Sequence, residues 1–310
     1  MSARLSALMD SYLTLRRSSG YRLNAPEYHI RSFIAWLDEN RTGEAFTAQD
    51  VIEWACLPQG RPNGHAKRLG SVRPWVAYAR AHGADAPLIP AGVLPSDAKR
   101  PTPYIYRDGE IRSVMDVFAH NAQTERSWRS RWTNTTLNVL TGFLACTGMR
   151  VGEAIALNRA DLDGNTGWVS VVTGKTGRER LVLLHPTVLE QVLDYFAEPA
   201  RPTGVEPEPL FISSTGGHLY YDLYQRNYSA AVRKAGLEPQ GRAKPTIHSL
   251  RHTFAVNQLA AAYRDGSDPG RRLTLLATWL GHVSPKCTYW YLTATQELLG
   301  GAADLIENEV

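Results

Sequence analysis

The sequence predicts a mainly α-helical protein with a small β-sheet, divided into two domains. Apolar residues recur at helical spacing over most of the 310 residues. One pair of segments rich in β-branched and apolar residues, 168–173 and 180–185, flanks a glycine-containing turn, which indicates a β-hairpin. A stretch rich in proline and alanine, 83–103, has the composition of a linker. We therefore expect domains over residues 1–82 and 104–310.

The composition argues against disorder, a membrane protein and a secreted protein. Hydrophobic residues make up 43% and charged residues 21% of the chain, which are ordinary values for a globular protein. No run of about 20 apolar residues occurs, and the first residues lack a secretory pattern. The three cysteines, Cys56, Cys146 and Cys287, are widely separated, which fits a reducing cytoplasm and gives no metal-binding spacing. We expect a cytoplasmic protein without a membrane partner.

The first domain is predicted to hold four helices. Thr47 is expected to cap the third, with Asp50 in its first turn. The fourth covers about 65–82, and Pro74 should kink or split it. The first two are indicated by apolar residues at helical spacing, at Leu5, Leu8, Met9, Tyr12 and Leu13 and then at Ile30, Phe33, Ile34 and Leu37.

The fourth predicted helix and the segment before it contain lysines and arginines but no aspartate or glutamate. Between Trp54 and Ala84 the chain carries five basic residues: Arg61, Lys67, Arg68, Arg73 and Arg80. Such a stretch is either a solvated basic face or a surface that follows nucleic-acid phosphates, and the formal net charge of +4 points only weakly to the second. Lys99 and Arg100 in the linker leave the same two interpretations open.

The second domain is predicted to alternate helices with the hairpin. Amphipathic or apolar helices are expected over 108–120, 135–146, 186–196 and 218–235. The last of these carries tyrosines on one face, which is typical of core packing: Tyr221, Tyr224 and Tyr228.

One short stretch brings together residues suited to phosphate chemistry. His248, Arg251 and His252 are spaced to share one helix face. Arginine offers a planar fork of donors that matches phosphate oxygens, and histidine can hold or pass a proton near neutral pH. A second arginine, Arg150, could hold further oxygens, and Tyr291 could act as a nucleophile if its proton were removed.

Two other kinds of site fit these residues poorly. His248 and His252 have a zinc-compatible spacing, but no glutamate lies between them and no third ligand is suggested, so His252 is expected to be a packed helix histidine. Residues 174–176 read Gly-Lys-Thr like the end of a phosphate-binding loop, but Val169 stands where that motif needs glycine. We therefore expect neither a metal nor a nucleotide cofactor.

Together these motifs resemble the tyrosine recombinase (phage integrase) family. The resemblance spans about 104–300, in the family's order, and rests on TGMRVGE with Arg150, TGKTGRER with Lys175, HSLRH with His248 and Arg251, and LGH with His282 followed nine positions later by Tyr291. It implies an N-terminal helical DNA-clamping domain and a C-terminal mixed α/β catalytic domain. The spacing favours Tyr291 over the neighbouring Tyr289 as nucleophile.

The resemblance also implies a reaction and a role for each residue. DNA strands would be cut and rejoined through a 3′-phosphotyrosine intermediate, without ATP, metal or another cofactor. The implied roles are nucleophile for Tyr291, stabilisation of the phosphorane oxygens for Arg150 and Arg251, general acid for Lys175, proton acceptor or phosphate ligand for His248, phosphate ligand for His282, and support of Arg150 for Glu153.

The implied partners are double-stranded DNA at paired recombination sites and other recombinase subunits. The assembly would be a homotetrameric synapse or a hetero-assembly with related recombinases, with 293–310 docking on a neighbouring protomer. The biological outcome would be integration, excision or transposition of a mobile element. The alternatives are a non-cutting DNA-binding accessory protein of the same fold and a metal-dependent nuclease. The interval between Arg251 and the LGH motif is longer than in the family, which predicts a loop insertion at 264–272.

Overall fold

The computed structural model describes residues 2–41, 45–57, 62–95, 102–172, 179–203, 206–241, 243–281 and Tyr291. The chain divides into two compact units, Met1–Arg100 and Pro101–Val310. The described part is mostly helical and contains one two-stranded sheet, so the predicted fold class is confirmed. No helix among the described residues is long and apolar enough to cross a membrane.

The first unit contains the four predicted helices, packed around aromatic side chains. Phe33 lies at their centre, edge-on to Trp54 and Trp75. The expected cap is present, because Thr47 and Asp50 form a reciprocal capping box. The helices are α1 (Ser2–Ser18), α2 (Asn24–Asn40), α3 (Ala48–Cys56) and α4 (Pro62–Ala81). Helix α4 is not split at Pro74, whose ring faces solvent.

The second unit is built around one long buried helix, α6. Helices α5, α8 and α10 pack against it. The elements are α5 (Glu110–Thr124), α6 (Trp128–Thr147), α7 (Val151–Ala156), β1 (Trp168–Val172), β2 (Glu179–Leu183), α8 (Pro186–Ala197), α9 (Tyr221–Lys234), α10 (Ile247–Arg264) and α11 (Pro269–Leu280). The strands form the predicted antiparallel hairpin, with Trp168 opposite Leu183.

The tyrosine face predicted for 218–235 is only partly in the core. Tyr224 and Tyr228 are fully buried, and their hydroxyls bond to Thr141 and Tyr106. Tyr221, in contrast, is 46% exposed, so its predicted burial is wrong. The helix begins only at Tyr221, which places this side chain in the solvent-facing first turn.

The loop predicted at 264–272 is shorter than expected. Helix α10 ends at Arg264, and α11 already begins at Pro269. The Asp268 side chain accepts a hydrogen bond from the Gly270 amide, and proline at the first helical position favours a helix start. Residues 269–272 are therefore helical, and the prediction of a loop there is wrong.

Candidate active site

The end of α6 and the start of α7 place Arg150. Helix α6 ends at Thr147, and Gly148 adopts φ +62°, a left-handed conformation that reverses the chain direction at low cost. Arg150 then precedes α7, and Glu153 in the first turn of α7 binds it twice. Its carboxylate accepts from the Arg150 amide at 3.2 Å and from Nη1 at 2.8 Å.

Helix α10 places Arg251 in the interior. Thr246 caps this helix through Ser249, and Arg251 follows on the second turn with only 3% of its surface exposed. Its guanidinium donates to the carbonyls of Gly148 and Leu280, each at 2.8 Å. These carbonyls lie at the C-terminal ends of α6 and α11, where the helix dipole is negative and favours a cation.

The two arginines form a concentrated positive site. Burial, together with the neighbouring Arg150 cation, lowers the pKa of Arg251 to about 10. Arg251 therefore stays charged at neutral pH, although it is buried and next to a like charge. Arg150 is more accessible, with 40% of its side chain exposed. A bound anion would relieve the repulsion between the two cations, and a phosphate matches the donor forks of both.

Arg180 on β2 joins this site and is a residue that the sequence motifs did not predict to be functional. Its Nη2 lies 2.6 Å from Glu153 Oε2, and its Nε donates to the Trp279 carbonyl at 2.9 Å. Burial alone would raise the pKa of Glu153, but hydrogen bonds from Arg180 and Arg150 outweigh it and the net pKa is lowered. Glu153 thus holds two arginines at once. The only signal in the sequence is the position of Arg180 at the start of the strand, where Glu179 and Arg180 precede three apolar residues.

The candidate nucleophile is buried beside α10. Tyr291 is 3% exposed, and its hydroxyl lies 3.0 Å from Nδ1 of His252. The His252 ring meets His248 edge-on, with 4.5 Å between the ring centroids. The tyrosine belongs to an apolar cluster with Ala255, Val256, Leu259, Leu273, Leu276 and Leu280. His252, expected to be a packed helix histidine, is therefore a direct neighbour of the Tyr291 hydroxyl.

The structure brings together Arg150, Glu153, Arg251, His248 and Tyr291 through these contacts. Two further predicted catalytic residues, Lys175 and His282, lie outside the described residues, as do Tyr289 and the segment 293–310. Within the described ranges, no group of three or more histidine, cysteine or acidic side chains could hold a metal ion.

The predicted DNA-contacting residues of the first unit differ in their surroundings. On α4, Lys67 and Arg80 are exposed and Arg73 is half-buried. Arg68 lies over the Trp54 ring at 3.9 Å, and burial lowers its pKa, so its guanidinium takes part in packing. Three other predicted contacts lie outside the described residues: Arg61, Lys99 and Arg100.

Comparison with known proteins gives consistent matches over most of the chain. The model of the "Phage integrase family" matches residues 111–297. A Sinorhizobium fredii protein named as integrase/recombinase y4rB is 32% identical over 96% of each chain. Tyrosine recombinase XerC of Rhodospirillum centenum is 28% identical over 85% of this chain and 82% of its own.

Solved structures show the same mainly helical two-domain fold. XerH site-specific recombinase bound to palindromic difH substrate superimposes with a TM-score of 0.68 at 18% identity, covering 92% of this chain and 79% of that one. A lambda integrase dimer bound to a COC' core site gives a TM-score of 0.62 at 17% identity, covering 92% and 76%.

Proposed function

Because the chain belongs to the phage integrase family and is thus a site-specific tyrosine recombinase, we propose that it cuts and rejoins DNA through a 3′-phosphotyrosine intermediate. The observation that supports this most is the convergence of two arginines, one just before α7 and one on α10, beside a buried tyrosine. Arg251 is fixed by two backbone carbonyls and Arg150 is held by Glu153. Tyr291 lies close enough to Arg251 to raise its pKa against the larger lowering by burial.

In the proposed reaction, the Tyr291 oxygen attacks phosphorus and displaces the 5′ oxygen of the next nucleotide. The phosphate stays attached to the 3′ end of the cut strand, now linked to the protein. A 5′ hydroxyl from the partner strand then attacks this link and releases the tyrosine. One phosphate ester is exchanged for another at each step, so ATP is not required.

The two arginines supply most of the stabilisation. Charge accumulates on the phosphorane oxygens in the transition state, and Arg150 and Arg251 are already oriented to receive it. Losing one such preorganised donor typically costs about 3–4 kcal/mol. His248, exposed at the start of α10, would bind a phosphate oxygen. From the family resemblance, Lys175 would protonate the leaving oxygen and His282 would also bind the phosphate.

The proposed substrate is double-stranded DNA at paired sites. We assign residues 1–82 to a DNA-clamping domain, 83–103 to a linker and 104–310 to the catalytic domain. The proposed α4 contacts are Lys67, Arg73 and Arg80.

Similar structures include a lambda integrase tetramer bound to a Holliday junction and Tn1549 transposon integrase with transposon right end DNA. By similarity we propose a tetrameric synapse, of this chain or with related recombinases, acting on a mobile element in the cytoplasm.

The test is a nicked suicide substrate carrying the ends of the element that encodes the protein. Wild type, Tyr291→Phe and Tyr289→Phe are incubated with it in EDTA and analysed on a denaturing gel. We expect a protease-sensitive covalent adduct with wild type and Tyr289→Phe, and none with Tyr291→Phe. DNA binding without any adduct would favour the non-cutting accessory protein. Cleavage that requires a divalent ion and leaves no adduct would favour the nuclease.

A further inference from the structure

His252 contacts the oxygen atom that the proposed reaction uses. Its Nδ1 lies 3.0 Å from the Tyr291 hydroxyl, and the imidazole is half-buried. We propose that His252 is the general base of the reaction: it accepts the Tyr291 proton during strand cleavage and returns it during rejoining. This inference rests on the proposed function, because it takes Tyr291 as the nucleophile.

The proton and electron pairs balance in both directions. In cleavage, the Tyr291 proton moves to Nδ1, the oxygen forms its bond to phosphorus, and the 5′ oxygen leaves with the electron pair of the broken bond. His252 is then an imidazolium. In rejoining, the 5′ hydroxyl of the partner strand attacks, and the departing tyrosine oxygen takes the proton back from Nδ1. Nδ1 can accept only in the neutral tautomer that carries its hydrogen on Nε2.

Moving the Tyr291 proton to His252 is unfavourable in water, and a nearby cation lowers its cost in the site. An ordinary phenol has a pKa of ~10 and a protonated imidazole has a pKa of ~6.5. In water, transfer of the proton from the phenol to the imidazole is therefore unfavourable by about 3.5 pKa units. Arg251, the residue before His252, is a buried cation whose pKa is lowered by burial and raised by the nearby Tyr291. A developing phenolate is therefore stabilised by the same arginine that binds the phosphate, which lowers the cost of removing the proton.

The surroundings of His252 and His248 suit the two histidines to different roles. His248 lies one turn before His252 on the same helix, is exposed, and touches it edge-on. Arg251 lies on that helix, and Arg150 approaches Arg251 from the start of α7. Nδ1 of His252 lies within hydrogen-bond distance of the Tyr291 hydroxyl and can accept its proton, while the exposed position of His248 suits contact with the DNA phosphate. Proton acceptor and phosphate ligand are thus different residues.

The experiment measures single-turnover cleavage of the suicide substrate by His252→Asn and His252→Ala. Asparagine places an amide near the position of Nδ1, so it can keep a hydrogen bond to the hydroxyl but cannot take its proton. We expect both variants to cleave at least about 100-fold more slowly, which is the usual contribution of a general base. His120→Asn, at an exposed histidine of α5, is the matched control and should cleave at the wild-type rate.

A second arm separates proton transfer from simple positioning. A fluorinated tyrosine at position 291 has a more acidic hydroxyl and needs a base less. If His252 takes the proton, the defect of His252→Asn becomes smaller with this nucleophile. An unchanged defect would show that His252 only positions the ring, and this would overturn the proposal. Faster cleavage by His252→Ala would overturn it too, because the contact would then restrain the tyrosine.

Different results would reject the role of His252 alone and the recombinase mechanism as a whole. If wild type forms the adduct at Tyr291 while His252→Asn cleaves at full rate, the recombinase mechanism stands and the base lies elsewhere. If wild type forms no adduct, the proposed function fails and the role of His252 fails with it. Gel-shift binding of the same DNA and thermal unfolding, measured for each variant, show whether a slow variant is still folded.

Discussion

At the scale of single residues, Arg251 shows how a buried cation is held in place. Its two hydrogen bonds run to the carbonyls of Gly148 and Leu280, which end two different helices. A lysine would keep the charge but has no planar fork, so it could not contact both carbonyls and a phosphate oxygen in the same geometry. The position of the guanidinium therefore depends on its shape as well as on its charge.

We expect Arg251→Lys to slow single-turnover strand cleavage by about 100- to 1,000-fold, the usual effect of removing one preorganised donor. The matched control is Arg264→Lys, an exposed position on the same helix, which should leave the rate unchanged. Cleavage by Arg251→Lys at the wild-type rate would show that the two-carbonyl contact does not orient the phosphate-binding group.

Gly148 is the second residue on which the site depends. Its φ of +62° is strained for other residues, and an added Cβ would lie 2.3 Å from the Phe254 ring. We expect Gly148→Ala to lower the free energy of unfolding by about 2–4 kcal/mol, from backbone strain and overpacking. Urea titration measures this value. Gly152→Ala, where an added Cβ meets nothing within 4 Å, should be neutral or slightly stabilising, and an equal loss in both variants would contradict this account.

At the scale of elements, Glu153 links α7 to β2, and Arg180 extends the link to the end of α11. Arg180 binds Glu153 and the Trp279 carbonyl, and an added Cβ at Gly281 would lie 2.9 Å from its Nη1. Three elements that are distant in sequence are thereby held around Arg150. The hairpin is therefore part of the support of the site.

We expect Arg180→Met to lower the free energy of unfolding by about 3–5 kcal/mol, because it leaves a buried carboxylate with one of its cations missing. Arg272→Met removes an exposed ion pair with Asp265 and should cost at most about 1 kcal/mol. Chemical denaturation of both variants tests the difference. A similar small loss in both would mean that Glu153 is adequately compensated by Arg150 alone.

The sequence predicted those features of the site that depend on local spacing. The shared face of His248, Arg251 and His252 follows from helical periodicity, and the hairpin follows from two β-rich segments around a glycine turn. The partners of Arg180 and His252 could not be predicted in this way. Their contacts join positions 180 with 279 and 252 with 291, and such pairs meet only after the helices have packed. The loop prediction for 264–272 fails because Asp268 and Pro269 form a helix start, a cap followed by proline at the first helical position.

At the scale of the whole molecule, the proposed reaction requires the protein to hold DNA through its phosphates. The first unit presents exposed cations on α4, notably Lys67 and Arg80. Each phosphate contact releases counterions, so binding should weaken steeply as the salt concentration rises. Contacts of this kind fix the position of the protein on DNA and carry little sequence information.

We expect the double variant Lys67→Ala/Arg80→Ala to reduce the slope of log binding constant against log salt concentration by about 1–2, since each lost contact contributes about 0.9. Fluorescence anisotropy at several salt concentrations gives this slope. Arg31→Ala, which removes a cation already paired with Glu27 on α2, should leave the slope unchanged. Equal slopes for wild type and the double variant would place the DNA on another face of this unit.

In the proposed reaction, Tyr291 forms a covalent bond to DNA beside the two arginines. Mass spectrometry of the peptides released from the wild-type adduct by protease and nuclease digestion identifies the residue that carries the DNA. We predict that the peptide containing Tyr291 carries a nucleotide on the phenolic oxygen, linked through its 3′ phosphate. A nucleotide on any other residue, Tyr289 included, or a link through a 5′ phosphate would rule out Tyr291 as the nucleophile of this reaction.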